Sequence, residues 1–405
     1  MLGAACATLL WAAGATSALA QSSVDNDQSQ SGDVLANGQL NVVYAEEVDQ
    51  TVNALGSGYT AQATSGQLNV VNAQELTGNV RATARIDLSD YAYDMIQSST
   101  ATGNSGQADS LGYGDMGLTS YQRVGPVDVT TSNTVEATNQ QIDFLNASSQ
   151  AVGNSHAFSQ IGAANRVDID QANEGLVQAD GAYSVRYSQG EINTTASSVA
   201  NNVTGAGVDG ATQDITVNQE MNGARTQASQ YVSSANAQSI SSSSTAVANN
   251  ISISNSDNPL SVASSQTNNA YVRAETDVYA NSYGGVSSNA MGVANSSSVI
   301  QIGEEITVDN NQVSTSGVEV LASFTGGDGI GYDSETSSTA IGNASSAYAC
   351  TSCGEAKMTI TNRQNNSGSV RSTSTTTIGA EGRRVTNAAT AVGNSATYYV
   401  SQQGE

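Results

Sequence analysis

Ser338-Thr339-Ala340-Ile341-Gly342-Asn343-Ala344 returns, slightly altered, along the whole chain. Thr390-Ala391-Val392-Gly393-Asn394-Ser395 and Ala151-Val152-Gly153-Asn154-Ser155 are near copies, and Ala101-Thr102-Gly103-Asn104-Ser105 matches them. Val199-Ala200-Asn201-Asn202, Val247-Ala248-Asn249-Asn250 and Gly292-Val293-Ala294-Asn295-Ser296 follow with small changes, and Leu55-Gly56-Ser57 is a degenerate copy. From Ser57 through Asn104, Asn154, Asn202, Asn250, Asn295, Asn343 and Asn394 the steps are 47, 50, 48, 48, 45, 48 and 51 residues. A period this regular signals a stack of supersecondary units, each contacting its neighbours.

Alternating strings sit at fixed phase to these markers. Gly38-Gln39-Leu40-Asn41-Val42-Val43 is repeated, residue for residue, from Gly66 to Val71. Val167-Asp168-Ile169, Ile215-Thr216-Val217, Leu260-Ser261-Val262, Ile306-Thr307-Val308 and Met358-Thr359-Ile360 keep the same apolar-polar-apolar order. A period of two is that of a half-buried strand. Val80-Arg81-Ala82-Thr83 returns as Val272-Arg273-Ala274-Glu275 and Val370-Arg371-Ser372-Thr373, about half a period from the markers. The expected fold is all-β, an elongated parallel β-solenoid of repeats about 48 residues long, each read as two rungs of about 24. Asn at one fixed place would bond the Asn above and below it, and the glycine beside it would take the left-handed bend of a corner. The competing reading is a disordered low-complexity linker, which has no reason to keep apolar residues in phase.

The 405 residues carry a formal net charge of -24, with 12 cations, only one of them lysine. That balance argues against nucleic acid and against an anionic lipid surface, both of which need clustered cations. Prolines are two, Pro126 and Pro259, so ladder hydrogen bonds are rarely interrupted. Residues 1–20 read as a secretory signal, with an apolar run around Leu9-Leu10-Trp11 and an A-x-A site at Ala18-Leu19-Ala20. The run lacks a basic residue near Met1, which points to a start further upstream, and Cys6 precedes the apolar run, so lipid attachment is not expected. The domains expected are this signal, a polar lead with a cap strand over residues 21–53, and the repeat solenoid over 54–405. Its last unit stops early, near Ala396–Ser401, leaving a candidate open strand.

Candidate chemistry is sparse. His156 is the single histidine and has no Ser or Cys motif around it, so it is read as an incidental loop residue. Cys350 and Cys353, in Cys-Thr-Ser-Cys, suggest a local disulfide in an exported chain. Gly326–Asp333 is similar to a calcium-binding nonapeptide but has Gly331 where an Asp is expected; a corner is the simpler reading. Glu46, Glu47 and Asp49, and separately Glu304 and Glu305, are acid clusters of the kind polysaccharide-cleaving β-helices use, but no cation or metal motif joins them. Arg81, Arg186, Arg225, Arg273 and Arg371 form a candidate outward ladder. No metal and no cofactor are expected. Gln160 to Gln171 matches one curlin repeat.

Taken whole, the chain resembles the holdfast-attachment protein D family of stalked bacteria. The features that carry the resemblance are the export signal ending Ala18-Leu19-Ala20-Gln21, the strings Ala151–Ser155 and Ala391–Ser395, and a length of about 400 residues. The resemblance implies a non-enzymatic surface protein that fastens an adhesive polysaccharide, the holdfast, to the outer membrane at the cell pole. It implies as partners the holdfast polysaccharide, another secreted holdfast anchor protein and a curli-secretion-like outer-membrane lipoprotein, together with self-association. The alternatives from other classes are a curlin-like amyloid fibre subunit and a β-helix polysaccharide-degrading enzyme.

Overall fold

A computed structural model describes residues 21–303, 305–351, 356–379 and 381–402. The signal-like residues 1–20, Glu304 and Cys353 lie outside the described residues. Every regular element is a strand. The chain alternates a short strand with a long one. Turn one is β1 (Gln21–Gln30) and β2 (Val34–Ala63); turn two is β3 (Gln67–Leu76) and β4 (Val80–Ser110). β5 (Met116–Val124) with β6 (Asp128–Ile161) and β7 (Ala164–Asn173) with β8 (Leu176–Val208) come next. β9 (Thr212–Met221) with β10 (Arg225–Asp257) and β11 (Leu260–Asn268) with β12 (Tyr271–Gly303) follow. In the last two turns the long strand is split at a corner. They are β13 (Glu305–Ser314), β14 (Val318–Gly326) and β15 (Gly331–Thr351), then β16 (Lys357–Asn366), β17 (Val370–Ile378) and β18 (Arg384–Gln402).

The short strands stack into one parallel sheet of eight, β1-β3-β5-β7-β9-β11-β13-β16. The long strands stack into a second, β2-β4-β6-β8-β10-β12, which continues as β14-β17 and β15-β18. The β-solenoid reading stands, with one correction. Val34 faces Val80, Val80 faces Val129 and Val129 faces Val177, so neighbours in a sheet are one whole period apart. Each period is therefore a single coil, not two rungs. The half-period strings are the starts of the long strands, placed part-way round the same turn.

Stacking turns sequence repeats into columns. Val24, Val70, Leu118, Val167, Ile215, Val262, Val308 and Ile360 face one another in succession along the short-strand sheet. Every interior member of that column is buried, and each such side chain contributes about 1.5–3 kcal/mol. One core cluster is almost all Ala and Val, as around Ala179, Ala200, Ala228, Ala248 and Ala294. A second cluster is built from larger residues such as Met95, Ile142, Leu145, Tyr183 and Phe324.

Large residues inside the stack depend on small ones in the next turn. Phe158 faces Gly205, which faces Ile253. Tyr59 and His156 lie on either side of Gly106, where an added Cβ would come within 2.5 Å of Tyr59 Cε1 and 2.8 Å of His156 Cδ2.

The glycines of the Gly-Asn strings do not turn corners. None of them has a positive φ; among glycines that conformation occurs at Gly66, Gly162 and Gly210, in the connections from long to short strands. Gly103 lies inside β4, where a Cβ would stand 2.5 Å from the Gly153 carbonyl oxygen of the next turn. Ala200, Ala248 and Ala294 hold the same place in the middle turns, so the position asks for a small residue, not a left-handed one. At this point two successive residues, Gly103 and Asn104, both face inward, and the alternation slips by one.

Among the described residues the stack is open at both ends: β1 and β2 bear no partner on one side, and neither do β16, β17 and β18.

Candidate functional site: two buried side-chain ladders

The slip at Gly103 turns Asn104 into the interior, and the same happens in each turn. Ser57 Oγ donates to Asn104 Oδ1 at 2.6 Å. Asn104 Nδ2 donates to Asn154 Oδ1, Asn154 to Asn201, Asn201 to Asn249, Asn249 to Asn295, Asn295 to Asn343 and Asn343 to Asn394, each at 2.8–2.9 Å. Asn202 and Asn250, expected in this ladder, lie one residue further on. They face outward and bond each other at the half-exposed surface, Asn250 Nδ2 to Asn202 Oδ1 at 2.8 Å. The double Asn at both places hides the choice from a sequence reader; only the inward slip decides it.

A second ladder runs opposite, on the short-strand sheet. Gln74 donates to Gln28, Gln122 to Gln74, Gln171 to Gln122, Gln219 to Gln171, Gln266 to Gln219, Gln312 to Gln266 and Gln364 to Gln312, at 2.7–3.0 Å. Sequence reasoning noticed Gln171 alone. The signal was present: Gln stands at the same place in every short strand, among many other glutamines.

The ladders lock the two sheets together. The second N–H of each interior Gln reaches a carbonyl just after the Asn marker, as Gln171 does to Asn202 O and Gln219 to Asn250 O. The second N–H of each Asn from Asn104 to Asn343 reaches the carbonyl just after the Gln, as Asn154 does to Ala172 O and Asn201 to Glu220 O. Each amide of the interior turns thus spends both donors away from solvent, where an unmet donor costs about 1–3 kcal/mol. Asn donates toward the C-terminal end and Gln toward the N-terminal end.

The arginines do not make one ladder. Arg81, Arg273 and Arg371 share a register position, but Thr130, Gln178 and Gln227 separate the first two and Glu319 the last two. Arg225 faces Tyr271, two residues upstream of that position, and Arg186 lies over the ring of Tyr187 at 5.2 Å. All five are at the surface or half-exposed. Cation-mediated bridging between turns occurs elsewhere: Arg123 reaches Glu75 at 3.7 Å and Glu174 at 2.8 Å, and Arg85 reaches Glu136 at 2.7 Å.

Cys350 is the last residue of β15 to pair with β12, and the disulfide expected with Cys353 falls outside the described residues. In the Gly326–Asp333 corner, Arg383 Nε binds Asp333 Oδ1 at 3.0 Å, and this bond holds the Asp333 carboxyl below the usual range. Glu46, Glu47 and Asp49 belong to β2, where all three are exposed. Among the described residues no cluster of three His, Cys, Asp or Glu side chains could hold a metal.

His156 is not a loop residue. It lies in β6, fully buried, with Nε2 2.5 Å from the Tyr59 hydroxyl. Burial lowers its pKa to about 3 and raises that of Tyr59, so both are neutral and share one hydrogen bond. An unfolded histidine titrates near 6.5. As pH falls below that value the unfolded chain takes up a proton that the folded chain refuses. The contribution of a neutral His156 is complete above about pH 6.5 and declines by about 1.4 kcal/mol per pH unit toward about pH 3. Between pH 7 and about 4.5 the wild type is expected to lose about 2–3 kcal/mol that His156→Gln does not lose, read as the difference between their denaturant midpoints at the two pH values.

The model of the family described as "Holdfast attachment protein D" matches residues 11–104 and, in a second overlapping segment, 42–317. The chain belongs to the holdfast attachment protein D family. Two overlapping matches are what a repeated unit produces, because one turn can be laid on the next. No curated protein and no solved structure matches the chain. Holdfast attachment is the family's role by its description, and the ladder-locked stack is the frame on which this member would perform it.

Proposed function

We propose that this chain is a non-catalytic anchor at the cell surface, which helps hold the holdfast polysaccharide to the outer membrane by self-association and by binding protein and glycan. The observation that carries the reading is the pair of ladders. They run through every turn and spend the buried polar groups on stiffness along one axis, as a part held under tension requires. Membership of a holdfast attachment family supports the polysaccharide as the load. The outward face, rich in Ser, Thr and Asn, offers hydrogen bonds to a glycan without a deep pocket. A second secreted anchor protein and a curli-secretion-like outer-membrane lipoprotein are the partners that would tie such a rod to the envelope.

Removing the chain from cells is expected to release adhesive into the medium while adhesive synthesis continues, measured by lectin staining of cells and supernatant. Adhesive that remains on the cells would refute the anchor. New reducing ends released from polysaccharide by the purified chain would favour the degrading-enzyme reading instead.

A further inference from the structure

The two open ends carry opposite charge. Between Gln21 and Ala63 there are six carboxylates (Asp25, Asp27, Asp33, Glu46, Glu47, Asp49) and no lysine or arginine. Between Lys357 and Gln402 there are five cations (Lys357, Arg363, Arg371, Arg383, Arg384) and one carboxylate, Glu381. The last turn of a chain with net charge -24 therefore holds five of its twelve cations.

We propose that copies of this chain join head to tail, the last turn of one (β16, β17, β18) pairing in parallel with the first turn (β1, β2) of the next. The inference rests on the reading of the chain as a self-associating anchor, and it names the partner and the register. β1 and β16 are both ten residues long, with Gln28 and Gln364 each at the eighth place. Carried one step further, the internal register sets Gln364 opposite Gln28 and Asn394 opposite Ser57. The same register sets Val370 opposite Val34, and Ile360 opposite Val24.

Four features meet across that junction. Gln364 Oε1 would receive the Gln28 donor, as each earlier Gln receives from the turn after it. Asn394 Nδ2 would donate to Ser57 Oγ, as each earlier Asn donates to the turn after it. Val24, Val34 and Val42 are only partly covered within one chain, and so are Ile360, Val370 and Ile378 opposite them. Arg363 comes opposite Asp27 and Arg384 opposite Glu47. Opposite charges of this kind steer association and fix register, and they reject the head-to-head and tail-to-tail pairings. Because the two surfaces differ and the joint does not close on itself, repetition gives an open filament. Each added chain lengthens it by eight rungs, about 38 Å at 4.8 Å per rung.

The test uses two variants of the purified chain, Arg363→Glu with Arg384→Glu at one end and Asp27→Lys with Glu47→Lys at the other. Circular dichroism checks that each keeps the wild-type β signal. In sedimentation velocity the wild type is expected to grow in mass with concentration, and each variant alone to associate at least about tenfold more weakly. Mixing the two variants should restore growth, because each reversed end then meets its complement. A wild type that stays monomeric throughout overturns the proposal, and so does a folded pair of variants that mixing fails to rescue. Association by either variant alone at wild-type strength also overturns it. The test needs no cells: a monomeric chain still required for adhesive retention would sink this inference alone, and a filament whose loss frees no adhesive would sink the anchor alone.

Discussion

Asn201→Ala is expected to destabilise the folded chain by about 4 kcal/mol, whereas Asn202→Ala, one residue along, costs under about 1 kcal/mol. The first removes a side chain that meets three buried groups. Asn154 Nδ2 loses its acceptor, and Asn249 Oδ1 and the Glu220 carbonyl lose their donor. At roughly 1–3 kcal/mol for each orphaned group, partly relieved by relaxation, the sum is a large share of a domain's stability. The second removes one bond to Asn250 at a half-exposed position where water replaces it. Guanidinium titrations followed by circular dichroism measure both. In a stack, neighbours couple in one dimension, so a cut at the fourth turn should also broaden the transition as the two halves unfold separately. Equal costs for the two substitutions would show that the buried ladder runs elsewhere.

The second large effect is expected from a volume swap. A Cβ on Gly205 would overlap Phe158 Cζ, because the ring of Phe158 lies across the neighbouring turn. Gly205→Leu should cost about 3 kcal/mol by overpacking, and Phe158→Ala about 3–5 kcal/mol by leaving a cavity. Together they place a large residue beside a small one again. The double variant should recover at least about 2 kcal/mol relative to the sum of the single changes. Additive losses would mean that the two residues do not share space. The column concerned reads Ala61, Ala108, Phe158, Gly205, Ile253, Val299, Ala347, Tyr398, so bulk at one turn is offset within the next.

Much of the architecture was legible because a solenoid writes its geometry into the period. Identical spacings of Gly-Asn strings and of alternating triplets such as Val167-Asp168-Ile169 and Ile215-Thr216-Val217 require like residues to meet when coils stack. The number of residues per coil was misjudged, because structured strings at half-period are equally expected of two short rungs or of one coil with two walls. Asn154 and Asn295 were placed in the ladder from their spacing. Asn202 and Asn250 were not separable from Asn201 and Asn249 by spacing, since one residue is within the scatter of the period. His156 was misread for a related reason: its polarity suggests a surface, and only Gly106 beside it and Tyr59 beyond make a buried place for it.

By itself, the sequence determined that this chain is all strand, that it repeats about every 48 residues, and that amides at fixed phase meet their counterparts. Local alternation and fixed spacing carry that information, because strand formation and stacking depend on period alone. The tertiary structure decided which of two adjacent amides turns inward, that a glutamine ladder answers the asparagine one across the core, and that an acidic first turn and a basic last turn lie at the two ends of the described stack. Those outcomes depend on where the backbone slips phase and on which walls face each other, and residues 19 to 48 positions apart, such as Asn201 with Glu220 and Asn249, settle them together.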